Sequence, residues 1–209
     1  LYWVPLRYLG EQGISGGWAI ALLNLPACLL LIPVVIWQWK QHRSQLWQSL
    51  LIGVLTGLGM ALYTSGIVYS SVVRATLLFY LTPAWATIIG IIWLGEKATW
   101  QRWAAIAVGL VGLGLLVSGG GSVPLNIGDV FALLSGLFWA MGAAVIKRYD
   151  TVPLPGMTMF QFLFTSLSAV LLGLLMGDFT SPSLGAVVEV LPPSLLISLL
   201  VILPSVWLI

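Results

Sequence analysis

The fold class this sequence predicts is all-α, a polytopic transmembrane helical bundle, and three observations carry it. Hydrophobic residues fill 60% of the 209 positions and charged residues only 7%, with a mean hydropathy of +1.07. Water-soluble domains do not reach that balance. The apolar residues fall in runs of about 20, long enough to cross a hydrocarbon core of roughly 30 Å, and without water such runs must be helical. Lys and Arg cluster on alternate loops between the runs.

In chain order, the end of a first helix is expected over Leu1–Leu9 and a second helix over Trp18–Trp39. The third covers Leu46–Tyr69, the fourth Val72–Leu94, the fifth Trp100–Ser118, the sixth Gly128–Lys147 and the seventh Leu154–Met176. An eighth begins near Leu191. The chain opens at Leu1-Tyr2-Trp3 and closes at Trp207-Leu208-Ile209 inside apolar runs, so it is read as a piece of a longer protein in which a signal peptide cannot be judged.

Lys40 and Arg43 follow the second helix, Lys97 and Arg102 the fourth, and Lys147 and Arg148 the sixth. These are six of the eight basic residues, all at one end of the bundle. Glu11, Asp129, Asp178 and Glu189 belong to the opposite loops. The positive-inside rule makes the basic loops cytoplasmic. Basic residues placed this way serve topology, so no nucleic-acid partner is expected; the lipid bilayer is the partner. Cys28 is the only cysteine, which excludes an internal disulfide. His42 is the only histidine and has no cysteine near it in sequence, so neither a metal site nor a His-based triad is on offer. No phosphate-cradling loop occurs. No enzyme activity and no cofactor are expected.

Small residues recur at helical spacing. Gly53 and Gly57 form a GxxxG in the third helix, Gly109, Gly112 and Gly114 line the fifth, and Ala132, Gly136, Ala140 and Ala144 repeat every fourth residue in the sixth. Where lipid gives no hydrophobic drive for association, such residues let backbones approach closely. The segment around Trp3 matches the segment around Trp139, an offset of 136 residues. At that offset the second helix falls on the seventh and the third on the eighth. Five helices is an odd number, so a second copy would be inverted, a plan common among secondary transporters with the site near midplane. Residues 1–118 are read as the first repeat and 128–209 as an incomplete second.

Pro83-Ala84-Trp85, with Leu94-Gly95-Glu96 ending thirteen residues after the proline, resembles the signature of the EamA family in the drug/metabolite transporter superfamily. Trp100–Gly112 is similar to that family's fifth helix, with Ala105 standing where a glycine is usual, and Gly128-Asp129 resembles the start of its second repeat. The resemblance implies a parent of about ten helices in two inverted five-helix repeats with both termini cytoplasmic. It further implies a carrier of small metabolites in a bacterial inner membrane, with export of amino acids or related compounds the common activity.

Arg7 lies one turn after Trp3 on the same face, in a segment expected in the membrane. A lone arginine costs about 2.5–3.5 kcal/mol at midplane on insertion scales, so it should face a cavity or a partner. Its guanidinium would suit a carboxylate or phosphate; snorkelling near Glu11 is the bland alternative. Thr76, Tyr80, Pro83 and Thr87 form a polar stripe on the fourth helix, with Pro83 a kink and gating candidate. Thr56, Gly59, Tyr63, Gly66 and Ser70 share a face of the third helix, and Ser135, Trp139 and Gly142 one of the sixth. Arg74 is expected to snorkel, and Glu96 to make a structural loop contact. The substrate site expected from these residues has Trp3, Tyr63, Tyr80 and Trp139 as walls and Arg7 as anion anchor. Substrate, direction, coupling ion and oligomeric state stay open. The rival is a non-transporting membrane subunit or scaffold that binds a partner through its small-residue faces.

Overall fold

The computed structural model describes residues 3–14, 16–119, 126–178 and 181–202, and these are all helices and short connections. The elements are α1 (Trp3–Glu11), α2 (Gly16–Trp37), the short α3 (Trp39–His42), α4 (Leu46–Tyr69), α5 (Val72–Phe79), α6 (Thr82–Leu94), α7 (Trp100–Gly119), α8 (Ile127–Arg148), α9 (Leu154–Leu175) and α10 (Leu184–Ile197). Five of the described segments are long and apolar enough to cross a membrane: α2, α3–α4 together, α5–α6 together, α8 and α9. The chain is an integral membrane protein.

At the centre stands α4, packed against α8 on one side and α9 on the other, while α2 packs on the far side of α9 and α5–α6 on α8. The glycines of α4 explain why it can hold two neighbours so closely. At Gly57 of the GxxxG, a Cβ would sit 2.7 Å from the Gln161 carbonyl of α9. A Cβ at Gly59 would sit 3.0 Å from the Trp139 nitrogen of α8, and one at Gly66 3.0 Å from the Gly128 carbonyl. Small residues of α8 answer from the other side, with Ala132, Ala140 and Ala144 all buried. The face predicted from Thr56 to Ser70 therefore meets α8, and Gly142 of α8 lies against Thr56. Thr165 of α9 directs its hydroxyl to the Gln161 carbonyl one turn back (2.8 Å) and across to the Gly57 carbonyl of α4 (3.2 Å).

By contrast α7 packs only lightly, on α5 and α6, and a Cβ at Gly109, Gly112 or Gly114 would meet nothing within 4 Å. The glycine face expected to bury against a neighbour is open. α10 packs on α2, and Ser198 beyond its end donates to the Leu23 carbonyl at 2.9 Å.

Two boundaries differ from expectation. The predicted continuous fourth span is broken at Tyr80–Leu81 into α5 and α6, so Pro83 occupies the first turn of a new helix, where a missing N–H costs little. The Phe79 carbonyl, which a proline four residues on cannot serve, instead accepts the Thr82 hydroxyl at 2.5 Å. The last helix starts at Leu184, not near Leu191, because Ser183 caps it by accepting the Ala186 N–H at 3.2 Å. Pro192 and Pro193 then fall inside this helix and do not begin it.

Three basic segments share one end of the bundle. Lys147 and Arg102 both meet Glu96, and Gln45, just after Arg43, donates to the Thr151 hydroxyl at 3.0 Å. Ser70, Arg74 and Asp129 come together at the opposite end.

Candidate functional site

The middle of the bundle holds an aromatic wall. Tyr63 of α4 and Phe79 of α5 meet at a tilt of 44° with ring centroids 4.8 Å apart, and Phe79 meets Trp139 of α8 edge-on at 6.3 Å. Both spacings fall in the favourable range for aromatic pairs. Thr76 gives its proton to the Val72 carbonyl at 2.6 Å, so the Tyr63 phenol is the donor in its 3.2 Å contact with the Thr76 hydroxyl. All four side chains are half-buried. The wall lies at the junction of three helices, near the middle of α8, in the last third of α4 and just before the break at Tyr80, within segments long and apolar enough to cross a membrane. Tyr63 and Trp139 are thus brought together as expected; the residue that joins them, Phe79, was not anticipated. Successive residues of a helix point about 100° apart, so Phe79 faces inward while Tyr80 does not.

Tyr80 is 68% exposed. It lines a different feature, a groove of about 610 Å³ between α5–α6 and α7, along with Pro83, Thr87, Arg102, Gly109 and Gly112. The polar stripe expected on a single face is divided: Thr76 turns to Tyr63, while Thr87 is buried and donates to the Pro83 carbonyl at 2.8 Å. Tyr80, Pro83 and Thr87 keep a common side across the break at Tyr80–Leu81, and it is Thr76, before the break, that leaves the stripe.

Arg7 sits on α1 with its side chain 72% exposed, and its Nε donates to Glu11 Oε1 at 3.3 Å, one turn on. In this arrangement it reaches neither the aromatic wall nor the groove. Trp3 opens α1, and its side chain lies outside the described residues.

Arg74 does not snorkel. Its Nη2 donates to Asp129 Oδ2 at 2.5 Å, and Asp129 is only 2% exposed. The carboxylate also accepts the Ser70 hydroxyl on Oδ1 at 2.7 Å and the Asn126 N–H on Oδ2 at 3.0 Å. Asn126 returns the favour by accepting the Asp129 N–H at 3.0 Å, a complete capping box at the start of α8. A buried charge without such partners would be strongly disfavoured, and here both oxygens are served. The Arg74–Asp129 pair was missed because the two residues lie on different helices, and only the packing of α5 on α8 shows their pairing.

At the basic end Gly95 adopts a left-handed conformation (φ +67°), closing α6 so that the Glu96 N–H returns to the Gly90 carbonyl at 3.0 Å. The turn presents the Glu96 carboxylate to Arg102 Nη1 at 3.0 Å and to Lys147 Nζ. Hydrogen bonds from Lys147 and then Arg102 hold the Glu96 carboxyl below its ordinary range. That is the structural loop contact expected of Glu96. Arg148 lies beside it, stacked on Trp93 at 5.5 Å. His42 is buried against α9, beside Gly156.

The model of the EamA-like transporter family matches residues 1–118. The chain is similar to the S-adenosylmethionine uptake transporter of Rickettsia prowazekii (strain Madrid E), with 26% identity over 123 residues, 58% of this chain and 42% of that protein. It is also similar to the S-adenosylmethionine uptake transporters of Rickettsia bellii (strain RML369-C) and Rickettsia felis (strain ATCC VR-1525 / URRWXCal2). These are 32% and 31% identical over 87 residues, 41% of this chain and 30% of each relative. The matched stretches thus span less than half the length of these curated relatives. No solved structure matches the chain. With more than half of its residues under the family model and a polytopic helical bundle to carry them, the chain belongs to the EamA-like transporter family.

Proposed function

We propose that the protein is a secondary transporter that moves a small amino-acid-related metabolite by alternating access, with the Tyr63–Phe79–Trp139 wall as part of its binding site. The observation that carries this reading is the wall itself: three half-buried rings and two hydroxyls inside the apolar spans, where three helices meet. Helix packing alone does not call for such a set, since the neighbouring contacts of α4 with α8 use glycine and alanine. Two five-helix repeats, residues 1–118 and 128–209, related by inversion, remain the proposed frame. The offset of 136 residues that pairs Trp3 with Trp139 carries α2 onto α9 and α4 onto α10, which supports it.

Substrate chemistry follows from what the wall offers. Arg7 is paired with Glu11 and Arg74 with Asp129, so no unpaired cation stands at the wall among the described residues. Aromatic faces favour a planar ring, by stacking, or a cation, by attraction to the ring quadrupole. S-adenosylmethionine, the substrate in the relatives' names, carries an adenine ring and a sulfonium cation and is itself an amino-acid derivative. It heads the panel of substrates. Those names also speak for uptake, whereas family resemblance had pointed to export; the basic loops are proposed as cytoplasmic in either case.

The test is counterflow of labelled S-adenosylmethionine, amino acids and organic anions with the intact protein in liposomes. Saturable counterflow of the first, lowered at least tenfold by Trp139→Ala and unchanged by Arg7→Ala, is the expected result. Selective loss with Arg7→Ala would restore the anion-anchor role. Absence of counterflow from folded protein across the whole panel would favour the scaffold reading, for which the open glycine face of α7 is the natural docking surface.

A further inference from the structure

Asp129 joins three helices, α4, α5 and α8, that also supply the aromatic wall further along their lengths. Ser70, its first partner, is the C-cap of α4, seven residues beyond Tyr63; Arg74, its second, is in the first turn of α5, five residues before Phe79. Asp129 itself lies in the first turn of α8, ten residues before Trp139. At about 1.5 Å per residue these spacings place the ion pair roughly 8–15 Å from the wall, toward the end remote from the basic loops. A passage from that end to the wall between α4, α5 and α8 would cross this cluster, where the three are tied together.

From this placement we infer that Arg74 and Asp129 form a gate at the acidic end, closing the route to the aromatic wall and parting when the protein opens on that side. The inference rests on the carrier reading. Three features suit a gate better than a fixed strut. The pair connects two elements that meet only by packing, since α5 is separated from α8 in sequence by α6 and α7. α5 is a short helix with a break at Tyr80–Leu81 behind it, so it can swing without unwinding a full span. And the two partners are unequally buried, with Arg74 at 21% and Asp129 at 2%, so the guanidinium can move outward to water while the carboxylate keeps Ser70 and Asn126. Both residues act by positioning helices, not by touching substrate.

The test is conformational and needs no substrate. Ala75, buried next to Arg74, becomes a reporter as Ala75→Cys in a Cys28→Ser background. The intact protein is placed in sealed vesicles, and a membrane-impermeant methanethiosulfonate is added on the side away from the basic loops. Labelling should be slow with the pair intact and at least tenfold faster in Arg74→Gln and in Asp129→Asn. Arg74→Lys, which keeps the charge, should return most of the protection. Size-exclusion profiles identify a variant that has failed to fold, and the two single variants stand in for each other there. Unchanged labelling in folded Arg74→Gln, or Arg74→Lys labelling as fast as Arg74→Gln, overturns the gate. Faster labelling without counterflow in any variant would keep the gate as a moving element and sink the carrier reading alone.

Discussion

The α5–α6 pair is tied to α8 at both of its ends, and the two ties are built differently. At the acidic end one carboxylate, Asp129, is almost fully buried and accepts from a guanidinium, a hydroxyl and a backbone N–H. At the basic end one carboxylate, Glu96, meets an arginine and a lysine that are themselves largely open to water, at 47% and 64% exposure. Each carboxylate meets a guanidinium, yet burial separates the two. A charge removed from water depends on every partner it keeps, whereas a charge at the surface can trade its partners for water. The acidic end is therefore an all-or-none contact and the basic end an adjustable one. A carrier that opens its two ends in turn has a use for that asymmetry.

The sharpest way to break the comparison is to remove each carboxylate in turn. Asp129→Ala deletes a cap and leaves the half-buried Arg74 without its partner. It should cost about 3 kcal/mol of unfolding free energy in mixed micelles, the lower end of what breaking a buried pair costs, because Arg74 keeps some water. Glu96→Ala should give a much smaller change in the same assay. Equal losses would mean that burial does not divide the two ties. A second substitution separates geometry from charge. A Cβ at Gly128 would lie 2.6 Å from the Ser70 nitrogen and from the Tyr69 carbonyl carbon, so Gly128→Ala must push α8 off the end of α4 while leaving every charge in place. The expected loss is about 1–3 kcal/mol, with faster labelling at the Ala75→Cys reporter. If stability falls without faster labelling, close approach matters for packing and not for the gate.

How much of this was legible in the sequence depends on the range of the interaction. Helix spans, the membrane and the shared end of the basic loops follow from hydropathy and charge order, which are local properties, and they agree with the structure to within a few residues for most elements. That Thr56, Gly59, Tyr63, Gly66 and Ser70 share a side of α4 was also readable, because an unbroken helix keeps its period, but α8 occupies the room expected at Gly59 and Gly66. Tyr80 shows where that logic stops. It lies with Pro83 and Thr87 on the groove beside α7, whereas Thr76, one turn earlier on the expected stripe, turns to Tyr63, and only the packing of α5 between α4 and α7 shows that division. The gate pair was illegible for a different reason: Arg74 and Asp129 are 55 residues apart, and nothing in either neighbourhood marks the other. Glu96, in contrast, was read rightly as a loop contact because Lys97, Arg102 and Lys147 were already expected at its end of the bundle.

The smallest expected effect is in acid, and it sharpens the contrast because only the basic end should show it. Lys147 and Arg102 hold the Glu96 carboxyl below its ordinary value near 4.5. The folded protein therefore binds the Glu96 proton less readily than the unfolded chain does. Its contribution to stability is fully present above that ordinary value and is lost as pH falls through the lowered one. At pH 7 Glu96→Gln should unfold slightly more easily than the parent; the two curves should draw together as pH falls below the ordinary glutamate value. Added salt at pH 7 should narrow the same gap, since partners in water are screened over about 8 Å at physiological ionic strength. A gap that persists in acid would place the worth of Glu96 in its packing over Gly90 and not in its charge, and the basic end would then be as fixed as the acidic one.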